Sequence, residues 1–123
     1  MAMAHNPGFL KIVGDAKARI KETDIEGYKA LLASGEKPLL VDVREDQEYA
    51  AAHAVGAVHI GKGVIERDIE TKVPDKATKL VLYCGGGFRS ALAADAIQTM
   101  GYTDVTSLDG GWRAIQASGL PIE

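Results

Sequence analysis

The sequence contains very little cysteine, and Cys84 is the only one among 123 residues. A single thiol excludes an internal disulfide and any zinc or iron–sulfur site built from several cysteines. Long apolar runs are also missing, since the longest, such as 39–41, are far too short to span a bilayer. Residues 1–8 contain no basic segment leading into an apolar stretch, so no secretory signal is expected. We therefore expect a cytoplasmic protein whose thiol stays reduced and which does not bind membranes.

An excess of positive charge is absent as well. Fourteen Lys and Arg residues stand against seventeen Asp and Glu residues, which gives a net charge of −3. A nucleic-acid-binding surface is therefore not expected. The hydrophobic share of 46% is typical of a globular protein. A chain of this length suits one domain with a core of its own, without support from metals or disulfides.

What the sequence does contain is a regular alternation of helical and strand patterns. This order predicts an α/β domain, with an open parallel sheet covered by helices on both faces. In such sheets, ligands bind beyond the carboxyl ends of the strands. The predicted strands are 39–43, 57–60, 79–83 and 104–108, and the predicted helices are 9–20, 25–34, 46–51, 64–73, 90–100 and 111–118.

The segment between the clearest strand and the Ala-rich helix carries the strongest chemical signal. It reads Cys84-Gly85-Gly86-Gly87-Phe88-Arg89-Ser90. Three glycines allow the backbone to curl so that successive N–H groups form an anion-binding nest. The start of the following helix adds a positive dipole end. Both features stabilise a thiolate, so we predict that Cys84 is a nucleophile with a lowered pKa. The alternative is a buried, inert cysteine followed by an ordinary glycine turn.

Two thiolate chemistries compete at such a loop. A phosphatase or arsenate reductase attacks phosphorus or arsenic, whereas a sulfurtransferase attacks the outer sulfur of a donor such as thiosulfate and becomes a persulfide. Cysteine-dependent phosphatases carry five residues between Cys and Arg, and here only four separate Cys84 from Arg89. The smaller loop favours sulfur transfer. A third hypothesis is a non-catalytic relay module that accepts persulfide sulfur from a partner protein.

With these motifs together, the chain resembles a single-domain rhodanese, a module of the thiosulfate sulfurtransferase type, over about residues 22–120. Each short motif is weak alone, but their order around a six-residue cysteine loop is specific. The matching segments are Leu40-Val41-Asp42-Val43-Arg44, Glu48-Tyr49, His53 to Ile60, Tyr83 to Ser90, and Leu108-Asp109-Gly110-Gly111-Trp112.

The resemblance implies a five-stranded parallel sheet in residues 22–123, with residues 1–21 forming an added N-terminal helical extension. It implies that Cys84 carries the sulfur and that the loop from Gly85 to Arg89 binds the substrate and persulfide. No metal and no organic cofactor are expected. The expected partners are a small sulfur donor and an acceptor, which is cyanide in vitro and a thiol in the cell. A protein that donates or accepts persulfide sulfur is a further candidate.

The remaining candidate residues have structural as well as functional interpretations. Arg89 can contact the substrate or brace the loop, and the sequence leaves both open. We expect Asp42 and Arg44 to support the site through an ion pair or a bond to the loop, and Ser90 to support it at the start of the helix. His53 and His59 lack metal-ligand spacing and are interpreted as structural. Phe88 also has two interpretations, because it can either line the pocket or pack in the core.

Overall fold

The computed structural model describes residues 5–123. Five parallel strands form one sheet in the order β1-β5-β4-β2-β3. The strands are β1 (Lys21–Thr23), β2 (Leu39–Asp42), β3 (Val58–His59), β4 (Leu80–Tyr83) and β5 (Val105–Leu108). The helices are α1 (Pro7–Lys17), α2 (Ile25–Ala33), α3 (Asp46–Ala51), α4 (Ile65–Lys72), α5 (Phe88–Thr99) and α6 (Gly111–Ser118), with a 3₁₀ turn at Lys62–Val64. The predicted fold class is confirmed.

Side chains of the central strand β4 alternate between two apolar layers. Leu80 and Leu82 point into the layer that α4 and α5 cover, and Val81 and Tyr83 point into the layer that α2 and α6 cover. All four residues of this strand are buried, as expected for a parallel strand between two helical layers. Cys84, the next residue, continues the alternation and belongs to the first layer.

The resemblance implied a fifth strand, but the residue pattern did not locate it, because the sequence of β1 lacks an apolar run. Lys21 and Glu22 are exposed, and the strand pairs only with β5 at one edge of the sheet. An edge strand with solvated side chains carries little sequence signal. Its presence also corrects the predicted end of the first helix, which stops at Lys17 instead of continuing to Ile20.

Helix α1 lies against α5 on the outside of the first layer. Val13 and Ala16 are its buried residues. Arg19, just after the helix, donates two hydrogen bonds to the carboxylate of Asp95, at 2.9 and 2.7 Å. These contacts hold α1 across the domain. No helix among residues 5–123 is long and apolar enough to cross a membrane.

Candidate active site

The Cys84 sulfur lies at the carboxyl end of the central strand, where the parallel-sheet rule places ligands. Only 1% of the residue is exposed, but it lines a pocket of about 410 Å³. Helix α5 begins at Phe88, two residues earlier than predicted, so Phe88 and Arg89 belong to its first turn. The nucleophile candidate therefore sits below a helix N-terminus, at the floor of a pocket.

Backbone and hydroxyl groups surround the sulfur. The N–H of Gly87 donates a hydrogen bond to Cys84 Sγ at 3.1 Å, and Ser90 Oγ lies 3.6 Å from the same atom. Gly87 has φ +115°, a conformation that favours glycine and turns its N–H toward the sulfur. Ser90 Oγ in turn lies 2.8 Å from Ser107 Oγ, and both serines are fully buried. Ser107 can therefore donate to Ser90 while Ser90 donates to a thiolate.

These contacts determine the direction in which the thiol pKa moves. Burial of Cys84 raises the pKa, but hydrogen bonds from the Ser90 hydroxyl and from the N–H groups of Ser90, Gly87 and Gly86 lower it more. The net pKa of Cys84 lies below its ordinary value. Ser90 lowers the pKa of Cys84 most, and the N–H groups of Gly87 and Gly86 act in the same direction, since hydrogen-bond donors stabilise the charged form.

Replacing Ser90 by alanine is expected to raise the pKa of Cys84, because the variant loses the hydroxyl that donates to the thiolate. The ultraviolet absorbance of the thiolate, followed against pH, measures the change. Ser118→Ala is the control, because its hydroxyl bonds the carbonyl of Ile115 in α6 and not the thiol. If both variants titrate like the wild-type protein, the hydroxyl does not stabilise the thiolate.

The carbonyl groups of the cysteine loop are held from the other side, by the start of α6. The N–H groups of Trp112, Arg113 and Gly110 donate to the carbonyls of Cys84, Gly85 and Gly86, at 2.7, 3.3 and 3.1 Å. These bonds give each of the three loop carbonyls a partner in the segment that begins α6. The Gly-Gly-Trp segment therefore holds the loop so that its N–H groups remain available to the thiolate.

Arg89 forms an ion pair across the loop. Its guanidinium donates to both carboxylate oxygens of Glu48, at 2.7 and 3.2 Å. The hydrogen bond from Arg89 holds the pKa of Glu48 well below its usual range, at about 2. Arg89 also lines the pocket. The structure therefore gives Arg89 a bracing contact with α3 and leaves its guanidinium beside the pocket.

Replacing Glu48 by glutamine is expected to lower the free energy of unfolding by about 0.5–1 kcal/mol at neutral pH, because both partners are about one third exposed. Glutamine can still cap α3 by accepting from the N–H of Glu45. A carboxylate with a lowered pKa stabilises the fold above its ordinary pKa of 4.5, and loses this effect as the pH falls through about 2.

The difference between wild type and Glu48→Gln should therefore shrink below pH 4.5 and vanish near pH 2. Chemical denaturation at a series of pH values measures it. Glu66→Gln on α4 is the control, because Glu66 is exposed and forms no ion pair with any residue of 5–123. A difference that stays constant down to pH 2 would contradict the prediction.

Asp42 and Arg44 form a buried ion pair at the carboxyl end of β2. Arg44 Nη2 lies 2.7 Å from Asp42 Oδ2, and both side chains are almost fully enclosed. Tyr83 donates its hydroxyl to the same carboxylate at 2.6 Å, and the Arg44 guanidinium stacks 4.5 Å from the Trp112 ring. This network links β2, β4 and α6 directly beneath the loop, and neither charged residue lines the cysteine pocket.

His53 and His59 stack on the two sides of Tyr49, with ring centroids 3.7 and 4.7 Å away. His53 Nδ1 donates to the carbonyl of Tyr49 at 2.9 Å, and His59 Nε2 donates to that of Arg44 at 2.8 Å. Neither ring lines the pocket of Cys84. Their contacts brace the chain around α3.

Comparison with known proteins agrees with this geometry. The family description "Rhodanese-like domain" matches residues 24–118, which is most of the chain and includes every element from α2 to α6. The chain belongs to the rhodanese-like family. The resemblance noted from the sequence is confirmed, and the match leaves α1 and β1 outside the family region.

Two similar rhodanese-like relatives are thiosulfate sulfurtransferases by name. The thiosulfate sulfurtransferase GlpE of Pseudomonas entomophila is 35% identical over 93 residues, which cover 73% of this chain and 84% of that protein. The thiosulfate sulfurtransferase PspE of Escherichia coli is 36% identical over 70 residues, which cover 57% of this chain and 67% of that protein. These relatives support a sulfurtransferase.

A similar solved structure extends over the whole chain. It is a Rhodopseudomonas palustris protein of unknown function, described as a possible tyrosine phosphatase. It has a TM-score of 0.83 and 30% sequence identity, and the similarity covers 100% of this chain and 99% of that one. The shared fold therefore includes the region of α1.

The sequence analysis did not predict several of the residues that surround the site. Ser107 could have been found, because a serine in an otherwise apolar strand is a buried polar group that needs a partner. Arg113 comes shortly after β5 ends, at the same edge of the sheet as Cys84, and this position could also have indicated a residue of the site. His5 and Phe9 carry no such signal, because only the folded chain brings them to the loop, and Glu48 belongs to a matching segment whose ion pair with Arg89 was not predicted. No group of residues within 5–123 has the makeup of a metal site.

Proposed function

We propose that the protein is a sulfurtransferase that moves a sulfane sulfur from thiosulfate, or a related donor, to a thiophilic acceptor through a Cys84 persulfide. The observation that carries this proposal is the set of hydrogen bonds that converge on the Cys84 sulfur at the floor of the pocket. A thiolate stabilised in this way is both a nucleophile and a group that can hold a persulfide anion.

In the first half-reaction, the Cys84 thiolate attacks the outer sulfur of the donor. A bond forms between the cysteine sulfur and that outer sulfur, and the bond between the two donor sulfurs breaks. Sulfite leaves with the electron pair, and Cys84 becomes a persulfide. In the second half-reaction, cyanide or a thiolate attacks the outer sulfur of the persulfide, and the Cys84 thiolate leaves as the product forms. No metal or organic cofactor takes part.

Negative charge on the outer sulfur needs donors, and the loop supplies them. The N–H groups of Gly86, Gly87 and Ser90 already face the Cys84 sulfur. In the proposed role, the backbone from Gly85 to Arg89 binds the persulfide, Phe88 walls the pocket, and the network of Asp42 and Arg44 supports the loop from below. Arg89 is braced by Glu48 and also lies within hydrogen-bonding reach of the Cys84 thiolate, so in the proposed role it both supports the loop and donates to the bound substrate.

The acceptor comes from outside the chain, because no second cysteine exists to resolve the persulfide as an internal disulfide. A small thiol or a partner protein in a reducing compartment such as the cytoplasm would serve this role. The proposal also divides the chain into an N-terminal extension, residues 1–21, and the sulfur-transferring domain, residues 22–123. The start of the family match at residue 24 supports this division.

Intact mass after incubation with thiosulfate tests the proposal. The expected result is a gain of one sulfur atom, lost again when cyanide is added with release of thiocyanate. An aryl phosphate assay is run in parallel, because the R. palustris neighbour is described as a possible tyrosine phosphatase. Phosphate release that depends on Cys84, without any gain of sulfur, would overturn the proposal. Fast loading from a protein persulfide but not from thiosulfate would indicate a relay module instead.

A further inference from the structure

A pair of buried serine hydroxyls lies behind the Cys84 sulfur, and the proposed mechanism uses only that of Ser90. Ser90 lies in the first turn of α5, and Ser107 lies on β5 with its side chain on the same face of the sheet as that of Val105. Neither serine is exposed to solvent. Ser107 Oγ lies 2.8 Å from Ser90 Oγ, and Ser90 Oγ lies 3.6 Å from Cys84 Sγ. The three polar atoms therefore form a row enclosed in the first apolar layer.

The contacts of the two hydroxyls determine the direction of their hydrogen bonds. Among residues 5–123, the Ser107 hydroxyl has a single hydrogen-bond partner, which is the hydroxyl of Ser90. A serine hydroxyl has one proton to donate and can also accept. Ser107 therefore places its proton in a hydrogen bond only by donating it to Ser90 Oγ. Once that contact holds the Ser107 proton, the proton of Ser90 has Cys84 Sγ as its remaining acceptor.

The number of protons in this row depends on the charge of the sulfur. With a neutral thiol, the row holds three protons but has only two contacts, and each contact uses one proton. One buried proton is then left without an acceptor, which costs free energy. With a thiolate, two protons meet two contacts, and both are used when Ser107 donates to Ser90 and Ser90 donates to the sulfur. The row therefore matches a sulfur that carries no proton.

We propose that Ser107 is a positioning residue of the site, which directs the hydroxyl of Ser90 at the Cys84 sulfur and so favours the forms in which that sulfur has no proton. The thiolate is one such form. The persulfide is another, because its Cys84 sulfur is bonded to carbon and to the transferred sulfur. This second part rests on the proposed function. Neither hydroxyl has to turn between the two half-reactions, since Sγ accepts from Ser90 in both forms.

Two variants of the same shape separate the hydroxyl of Ser107 from the bulk of its side chain. Ser107→Val and Ser107→Thr are both branched at Cβ, but only threonine keeps a hydroxyl, and both residue types suit a strand. Ser107→Ala removes the hydroxyl without adding bulk. The matched control is Thr106→Val, which exchanges a hydroxyl for a methyl on the neighbouring residue of β5. Its side chain lies on the other face of the sheet, with that of Leu108.

Thiolate absorbance followed against pH, with no sulfur donor present, measures the role of Ser107. Cys84 is the only cysteine, so the signal reports this thiol alone. The pKa of Cys84 should be about 0.5–1 unit higher in Ser107→Val than in Ser107→Thr, and Ser107→Ala should titrate at higher pH than the wild-type protein. Thr106→Val should titrate like the wild-type protein.

The rate of sulfur loading from thiosulfate, measured against pH, separates positioning from general damage to the site. The rate profile of Ser107→Val should move to higher pH by the same amount as its titration. Where the thiol is fully ionised, this variant should load sulfur at the wild-type rate or faster, since a thiolate of higher pKa is the stronger nucleophile. A merely structural defect would lower the rate at every pH. The charged or titratable side chains that face Cys84 are unchanged in all variants, and they are Arg89, Arg113 and His5.

Equal titrations of Ser107→Val and Ser107→Thr would overturn the proposal, and so would a loading rate that falls equally at every pH in Ser107→Val. If neither branched variant folds, the comparison of Ser107→Ala with the wild-type protein decides in the same way. The titration involves no sulfur transfer, so the two proposals fail separately. A shifted titration in a protein that gains no sulfur from thiosulfate would contradict only the proposed function. Sulfur loading with an unshifted titration would contradict only the role of Ser107.

Discussion

Replacing Cys84 by serine is expected to abolish the gain of sulfur from thiosulfate and to lower thiocyanate formation at least about 1000-fold. The hydroxyl of serine is a far weaker nucleophile than a thiolate at neutral pH, and no other thiol in the chain can replace it. Serine fits the space of the thiol and can keep the contacts with Gly87 and Ser90. The variant should therefore fold while losing only the chemistry.

Intact mass and steady-state thiocyanate assays measure this effect. Circular dichroism and the melting temperature provide the control, and both should match those of the wild-type protein. Ser107→Ala is a useful comparison, because it removes a buried hydroxyl one contact away from the sulfur and keeps the thiol. Sulfur loading that persists in Cys84→Ser would show that another group carries the sulfur, and the persulfide mechanism would then be wrong.

The parts of the site that could be predicted are those that depend on local sequence. The strand ending at Tyr83, the glycines after Cys84 and the helix after them are neighbours in the chain, so their geometry follows from local backbone preferences. The ends of α3 and α6 were also predicted correctly, at Asp46–Ala51 and Gly111–Ser118.

The parts that could not be predicted depend on contacts between distant segments. Glu48 and Arg89 are separated by 41 positions, and only the packing of α3 beside the loop brings them together. Phe9 and Phe88 meet only because α1 lies across α5, and an amphipathic pattern in α1 does not specify the surface that it covers. The polar edge strand β1 is defined by its pairing with β5, because its own residues show no strand pattern.

Replacing Gly111 by alanine is expected to lower the free energy of unfolding by about 3 kcal/mol and the melting temperature by roughly 10 °C. Gly111 has φ +48°, and a Cβ there would overlap the carbonyl oxygen of Cys84 and lie 3.0 Å from the carbonyl carbons of Cys84 and Gly85. These are backbone atoms, so relief requires the loop itself to move. The variant should also lose most of its sulfur loading.

Gly119→Ala is the matched control, because Gly119 also has a positive φ, +82°, but a Cβ there would meet nothing within 4 Å. In the control, the free energy of unfolding should fall only by the strain of the left-handed backbone, about 1–2 kcal/mol, and activity should be unchanged. The difference between the two variants isolates the contact between α6 and the cysteine loop. If Gly111→Ala is no less stable than Gly119→Ala and loads sulfur at the wild-type rate, then α6 does not hold the loop in its active shape.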